Sequence, residues 1–306
     1  MSALPLRGVF APVVTPFTAD GSLDRDGWLA NARAMLAAGL DGLVIAGSTG
    51  EAPLLDETDR HRLVEWTRKL VTSDKRLIVG CGAESTRLTS RRCNEAAARG
   101  ADAVLVVAPH YYGSAMSPEA LRAHYHVVCD ESPIPVVLYN IPKYMHFALP
   151  AELVAELAQH ENVIGIKDSS GDAAIRAGYQ ASQSDSFSVI TGHAGSFVRA
   201  LDEGARGGIL AVATFAPELV RQVMVAHSTG DREALGPLQE QLAMLGARIV
   251  AGMGVAGVKA AVDAVGLSGG TPRLPLLAVS QEVRQEVASL LGGAGVPPLG
   301  SVPALA

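Results

Sequence analysis

The sequence predicts a (β/α)8 barrel, the TIM-barrel class of α/β fold, followed by a C-terminal helical extension. Three observations carry that expectation. Eight short apolar runs, at 8–14, 42–46, 76–80, 102–107, 135–139, 163–167, 186–191 and 207–212, alternate with helical patterns at 24–38, 56–71, 85–98, 117–131, 150–158, 171–182 and 194–203. The runs are apolar along their length, as strands covered on both faces are. A helix–Gly–strand unit also recurs. Ala37-Ala38-Gly39-Leu40-Asp41-Gly42-Leu43-Val44 parallels Ala98-Arg99-Gly100-Ala101-Asp102-Ala103-Val104-Leu105, and residues 203–210 are a looser copy. Repeated βα alternation of this kind is how a closed parallel barrel is written in sequence. A doubly wound open sheet is the alternative reading.

The elements follow in order. Gly8–Phe17 is a first strand ended by Pro16, and Asp20-Gly21 is a turn. The next helix has Trp28, Ala32, Met35 and Leu36 on one side and Gly39 in the closing position. The second strand runs into Gly47-Ser48-Thr49-Gly50-Glu51. The fifth ends on Tyr139-Asn140, and the sixth, Val163-Ile164-Gly165-Ile166, ends on Lys167. Beyond the eighth strand, 216–228, 231–247, 255–265 and 280–291 have helical spacing. The expected division is therefore a barrel at 1–215, a helical extension at 216–291 and a loose Gly/Pro-rich tail at 292–306.

A net charge of −6 argues against nucleic acid or an anionic membrane as the main partner. Cys81, Cys93 and Cys129 lack CxxC spacing, which disfavours a disulfide framework or a zinc site and fits a reducing compartment. The N-terminus has no signal-peptide pattern, and no uncharged apolar run reaches the roughly 18 residues that span a bilayer. The expectation is a cytoplasmic protein.

In this barrel class, chemistry belongs at the carboxyl ends of the strands. Those ends carry Ser48, Thr49 and Glu51; His110, Tyr111 and Tyr112; Tyr139 and Asn140; Lys167, Asp168 and Ser169; Gly192 and His193; and Thr214. Of Lys69, Lys75, Lys143, Lys167 and Lys259, only Lys167 directly follows a β-branched run. Desolvation there disfavours the charged amine and leaves a nucleophile for a carbonyl carbon. The plain alternative is a strand-end lysine that reaches solvent or pairs with Asp168. Lys259 reads as an ordinary helix lysine, and His61 as an exposed helix residue.

Gly47-Ser48-Thr49-Gly50 before a helix offers hydroxyls and backbone N–H groups that can hold a carboxylate, or can simply cap a turn. Tyr139 can be core rim, or a phenol that relays protons beside the lysine. Together these groups point to Schiff-base chemistry on a small 2-oxo acid with no metal and no cofactor. Metal catalysis is disfavoured because His124 and His126 lie two apart on a helix and point different ways. Gly252–Gly257 matches G-x-G-x-x-G, but it lies in no βαβ unit and no acidic residue follows at the required distance. A non-catalytic 2-oxo acid binding protein is the reading from a different class.

Four motifs then carry a resemblance: Gly47-Ser48-Thr49-Gly50-Glu51, Pro109-His110-Tyr111-Tyr112, Tyr139-Asn140-Ile141-Pro142 and Gly165-Ile166-Lys167-Asp168. In this order and spacing the chain resembles, from about Gly8 to Leu291, the pyruvate-dependent class I aldolase family of dihydrodipicolinate synthase and N-acetylneuraminate lyase. The resemblance implies Lys167 as the Schiff-base lysine and Tyr139 as the proton relay. It implies that Ser48 and Thr49, with Gly47, bind the substrate carboxylate, and that Ser48 links into the relay. Tyr112 matches a tyrosine lent across a dimer interface in a homotetramer built as a dimer of dimers.

Within that family Tyr144 stands where dihydrodipicolinate synthases carry an arginine, with Lys143 beside it. Gly192-His193-Ala194-Gly195 lacks the acidic residues that sialate lyases use for a sugar. The 4-hydroxy-2-oxoglutarate aldolase branch is the nearest match, through 132–139, Lys167-Asp168-Ser169-Ser170-Gly171-Asp172, Gly192–Gly195 and Gly254–Lys259. That branch implies a substrate contact at Ser169. Gly192, His193 and Ile209, from the last two strands, complete the expected substrate set.

Overall fold

The computed structural model describes residues 6–300. Eight parallel strands close into a barrel in sequence order: β1 Gly8–Pro12, β2 Gly42–Ile45, β3 Arg76–Gly80, β4 Ala103–Val107, β5 Val136–Asn140, β6 Val163–Asp168, β7 Ser188–Thr191 and β8 Gly207–Ile209. β8 returns to pair with β1, as Gly8 lies opposite Gly207. Val104, Val136, Val137, Leu138 and Ile166 are fully buried, which is why these strands show no polar alternation.

Besides one short turn of helix at Pro142–Met145, the barrel helices are α1 Arg25–Ala37, α2 Glu57–Arg68, α3 Thr86–Ala98, α4 Pro118–Glu131, α5 Ala151–Leu157, α6 Ala173–Gln180, α7 Phe197–Asp202 and α8 Pro217–Thr229. Several of their starts are capped by side chains that the sequence displays: Asp24 accepts from Gly27 N, Ser85 from Leu88 N, and Ser117 from Ala120 N. Gly39 and Gly100 adopt φ of +83° and +88°, so the recurrent glycine is the left-handed residue that turns each helix back toward its strand.

α8 packs on β1 and on α7, the place of the barrel's own eighth helix. The extension then begins after Thr229, whereas the expected division at 215 falls between the eighth strand and its helix. The extension consists of α9 Arg232–Leu245, a wide π-type turn Gly246–Ala251, α10 Gly252–Ala264 and α11 Gln281–Gly293. By length and composition, the continuous helical run Arg232–Ala264 could cross a membrane; here it packs against α11 and walls a cavity at the barrel mouth.

The expected loose tail is not loose as far as it is described. α11 runs to Gly293, Leu299 is buried, and the amides of Leu299 and Gly300 both donate to Val265 O. Residues 301–306 of that expected tail lie outside the described residues.

Candidate active site

β5 and β6 pair with Tyr139 directly opposite Lys167, so the two side chains leave neighbouring strands on the same face, at their carboxyl ends. Both are buried, and the Lys167 amine sits 4.2 Å from the centroid of the Tyr139 ring. No acceptor among the described residues receives a hydrogen bond from Lys167 Nζ. Asp168 does not pair with it. That carboxylate accepts instead from Asn140 Nδ2 at 2.8 Å, Ser170 N at 3.0 Å and Ser170 Oγ at 2.8 Å. Lys167 is therefore neither a solvent-seeking strand end nor half of a salt bridge.

Ser48–Gly50 form one short 3-10 turn at the end of β2. Gly50 N and Ala52 N donate to Gly47 O, and Glu51 N donates to Ser48 O. The amides of Ser48 and Thr49 stay outside these bonds and are free to donate to an anion.

The two groups meet in a cavity of about 270 Å³ lined by Ser48, Thr49, Tyr139, Lys167, Ser169, Gly192, His193 and Ile209, the expected set apart from Gly47 and Tyr112. A second cavity of about 880 Å³ joins it at Ser48, Tyr139 and Tyr144, and Gly47 lines that one. A Cβ on Gly192 would fall 2.0 Å from Ser169 Oγ and 2.9 Å from Lys167 Cε, so a larger residue there would displace both side chains from their present positions. The His193 ring lies against Gly171 and Gly195, with Nδ1 3.1 Å from Ser196 Oγ, and desolvation holds its imidazole below the ordinary histidine value.

Tyr112 is not brought to the lysine within this chain. It is 69% exposed, stacked edge-on against the equally open Tyr111. Thr214 is buried but turned away, donating to Ala211 O. Among the described residues no cluster of three or more His, Cys, Asp or Glu is placed to hold a metal ion. Cys81, Cys93 and Cys129 are buried free thiols.

Comparison with known proteins gives this arrangement a family. Residues 5–294 match the model of the dihydrodipicolinate synthetase family. An uncharacterized DapA-like lyase of Halobacterium salinarum is 36% identical over 293 residues, covering 96% of this chain and 95% of that protein. A 4-hydroxy-tetrahydrodipicolinate synthase of Xanthomonas axonopodis pv. citri is 35% identical over 277 residues, covering 90% and 91%. Among solved structures, YagE, a prophage protein of the dihydrodipicolinic acid synthase family from E. coli K12 in complex with pyruvate, superposes with a TM-score of 0.89 at 27% identity, covering 94% of this chain and 99% of that one.

The chain belongs to the dihydrodipicolinate synthetase family. It is a carbon–carbon lyase built on that family's barrel.

This family member also has site-forming residues to which sequence patterns alone assign no place in the site. The π-type turn and α10 wall the cavity with Ala247, Val250, Ala251, Gly254, Val255 and Val258. Gly254, at φ 64° and ψ −155°, interrupts the helical path there. The Gly252–Gly257 motif is thus a stretch of cavity wall. A signal for it exists, since three glycines inside an apolar helical pattern are costly unless something must pass close by.

Lys259 is the clearest correction. It is not an ordinary helix lysine. It is 1% exposed, and its Nζ donates to Glu51 Oε1 at 2.5 Å, Thr15 O at 2.9 Å and Thr271 O at 3.0 Å. Burial pushes its ammonium below the usual lysine value, and the Glu51 carboxylate works in the opposite direction. His61 is half-buried against Glu95 rather than free.

Proposed function

We propose that this protein is a class I aldolase in which Lys167 forms an imine with a small 2-oxo acid, and that its reaction is cleavage of 4-hydroxy-2-oxoglutarate, or a close 4-hydroxy-2-oxo acid, to pyruvate and glyoxylate. The observation that carries the reading is the Lys167 amine, buried without a hydrogen-bond partner, over the Tyr139 ring and in one cavity with Ser48 and Thr49.

The roles follow from that placement. The Ser48 and Thr49 groups hold the carboxylate and so present the adjacent keto carbon to the amine. The amine attacks as its free base, and the carbinolamine loses water to give the protonated imine. Tyr139 moves the protons of that step. The C3–C4 bond then breaks, its electron pair enters the imine to form an enamine, and the 4-hydroxyl loses its proton to Tyr139 as the aldehyde departs. Protonation at C3 and hydrolysis release pyruvate and restore Lys167. The imine is itself the electron sink, so the steps call for no metal and no organic cofactor.

The far half of the substrate would meet Ser169, His193 and Ile209, with Lys143 and Tyr144 at the rim. Tyr111, Tyr112, Leu274 and Leu277 are each more than two-thirds exposed, a surface that supports a homotetramer in which a second copy's Tyr112 completes the proton relay. The net charge of −6 supports partners other than nucleic acid or an anionic membrane, and three buried free thiols support a reducing, cytoplasmic setting.

A second reading is favoured by the similarity to the Xanthomonas synthase: condensation of pyruvate with aspartate semialdehyde. Among the described residues no arginine lines the Lys167 cavity, and Tyr144 stands where the synthases carry one, which counts against condensation with aspartate semialdehyde. The deciding experiment assays pyruvate release from a panel of 4-hydroxy-2-oxo acids alongside condensation with aspartate semialdehyde. The highest kcat/KM is expected for 4-hydroxy-2-oxoglutarate. Preferred condensation would move the assignment to the synthase, and turnover of neither would leave a 2-oxo acid binding protein.

A further inference from the structure

We propose that Lys259 is a positioning residue for the carboxylate-binding turn, acting through Glu51. The inference rests on the functional reading above, in which Ser48 and Thr49 take the substrate carboxylate.

Glu51 ends that turn, two residues past Thr49, and does so with φ 60° and ψ 38°. This left-handed conformation is uncommon for a residue with a side chain and persists where its surroundings enforce it. Here they do. One carboxylate oxygen accepts from Lys259 Nζ and the other from Arg273 N at 2.9 Å. Just before it, Gly50 O accepts from Thr15 Oγ1 at 2.7 Å. Lys259 then ties the same corner to the loop after β1 through Thr15 O and to the extension through Thr271 O.

Beneath them the Phe17 ring lies 4.8 Å from Lys259 Nζ and 4.2 Å from the Arg273 guanidinium. Both side chains of the Lys259–Glu51 pair are 2% exposed or less, so water does not screen it. The helix carrying Lys259 also supplies Val255 and Val258 to the cavity wall. A single side chain 208 positions away in sequence thus sets the turn on one side of the substrate relative to the wall on another.

If the pair orients the cradle, its loss should weaken the hold on a carboxylate selectively. If it only stabilises the fold, every ligand that reaches Lys167 should suffer alike. The test traps imines on Lys167 with cyanoborohydride, using pyruvate and the uncharged methyl ketone hydroxyacetone, and reads the half-saturating concentration of each by peptide mass. In wild-type protein pyruvate should be strongly preferred. Lys259→Met should raise the pyruvate value at least tenfold, change that of hydroxyacetone less than twofold, and leave labelling at saturating pyruvate intact.

Glu51→Gln keeps an oxygen for Lys259 but no charge, and should shift the preference by about threefold in the same direction. It reads the same ratio should Lys259→Met fail to fold. An unchanged ratio in either folded variant, or equal weakening of both ketones, overturns the inference and leaves the functional reading intact. Absence of a Lys167 adduct in wild-type protein overturns both.

Discussion

Lys167 and Lys259 are both buried, and each holds its amine over an aromatic ring, Tyr139 in one case and Phe17 in the other. They differ in what else surrounds the nitrogen. Lys259 is enclosed by two carbonyls and a carboxylate, so its donors are satisfied and its lone pair is not available. Lys167 has no such acceptor, and its neighbouring carboxylate, Asp168, is occupied by Asn140 and Ser170. Burial alone therefore does not make a nucleophile. On the reading proposed above, a buried amine becomes one when the protein withholds the partners that would otherwise settle it and opens a cavity in front of it instead.

That contrast can be broken most directly at Lys167, the proposed nucleophile. Lys167→Ala should abolish turnover and the borohydride-trapped pyruvate adduct while leaving stability to urea unchanged or slightly increased, because it deletes a poorly satisfied polar group. A large loss of stability would mean that Lys167 is as structural as Lys259. Next in size is Tyr139→Phe. It keeps the ring under the amine and removes only the hydroxyl, so adduct formation should persist while turnover slows by about 10²–10⁴-fold. Near-normal rates would reduce Tyr139 to a packing surface.

The reciprocal experiment is Lys259→Ala. It leaves the Glu51 carboxylate buried without its cation and should destabilise the protein by about 3–5 kcal/mol in chemical denaturation. A change below about 1 kcal/mol would mean that the pair behaves like a surface ion pair.

The smallest effect extends the rule to a third buried base. His124 bonds to Thr86 Oγ1 through Nδ1, its Nε2 has no partner, and burial pushes its imidazole from 6.5 down to about 4. The unfolded chain takes up a proton near pH 6.5, whereas the folded protein resists it until about pH 4. Stability from this residue is therefore complete above pH 6.5 and declines as the pH falls toward 4, by about 3 kcal/mol in all. His124→Gln should flatten that part of the stability–pH curve. An unchanged slope would show that His124 takes up its proton as readily in the folded protein as in the unfolded chain.

Much of the barrel and its mouth is legible in the amino-acid sequence. Uniformly apolar runs such as 135–139 show a strand buried on both faces, and Gly39 and Gly100 mark where helices turn back. In a parallel barrel the residues that close such runs share one end, so pattern alone places Tyr139 and Lys167 together. The wall at 246–258 is harder to read, because a π-type turn within an apolar helix has the composition of either a helix or a break. A boundary near 215 falls too early for a related reason: Pro217–Thr229 has the same helical spacing whether it belongs to the barrel or to the extension.

By itself, then, the amino-acid sequence determined the alternation of strands and helices, the closed parallel architecture it implies, and the lysine, phenol and hydroxyl turn at the strand ends. These follow from local periodicity and chain direction. Only the tertiary structure decided which groups the amines would face. Lys259 meets Glu51 across 208 residues, and helical spacing records that a residue is on a buried face without recording what is buried opposite it. The same holds for Asp168, which sits beside Lys167 in the chain yet hydrogen-bonds elsewhere, because its side chain leaves the strand on the opposite face.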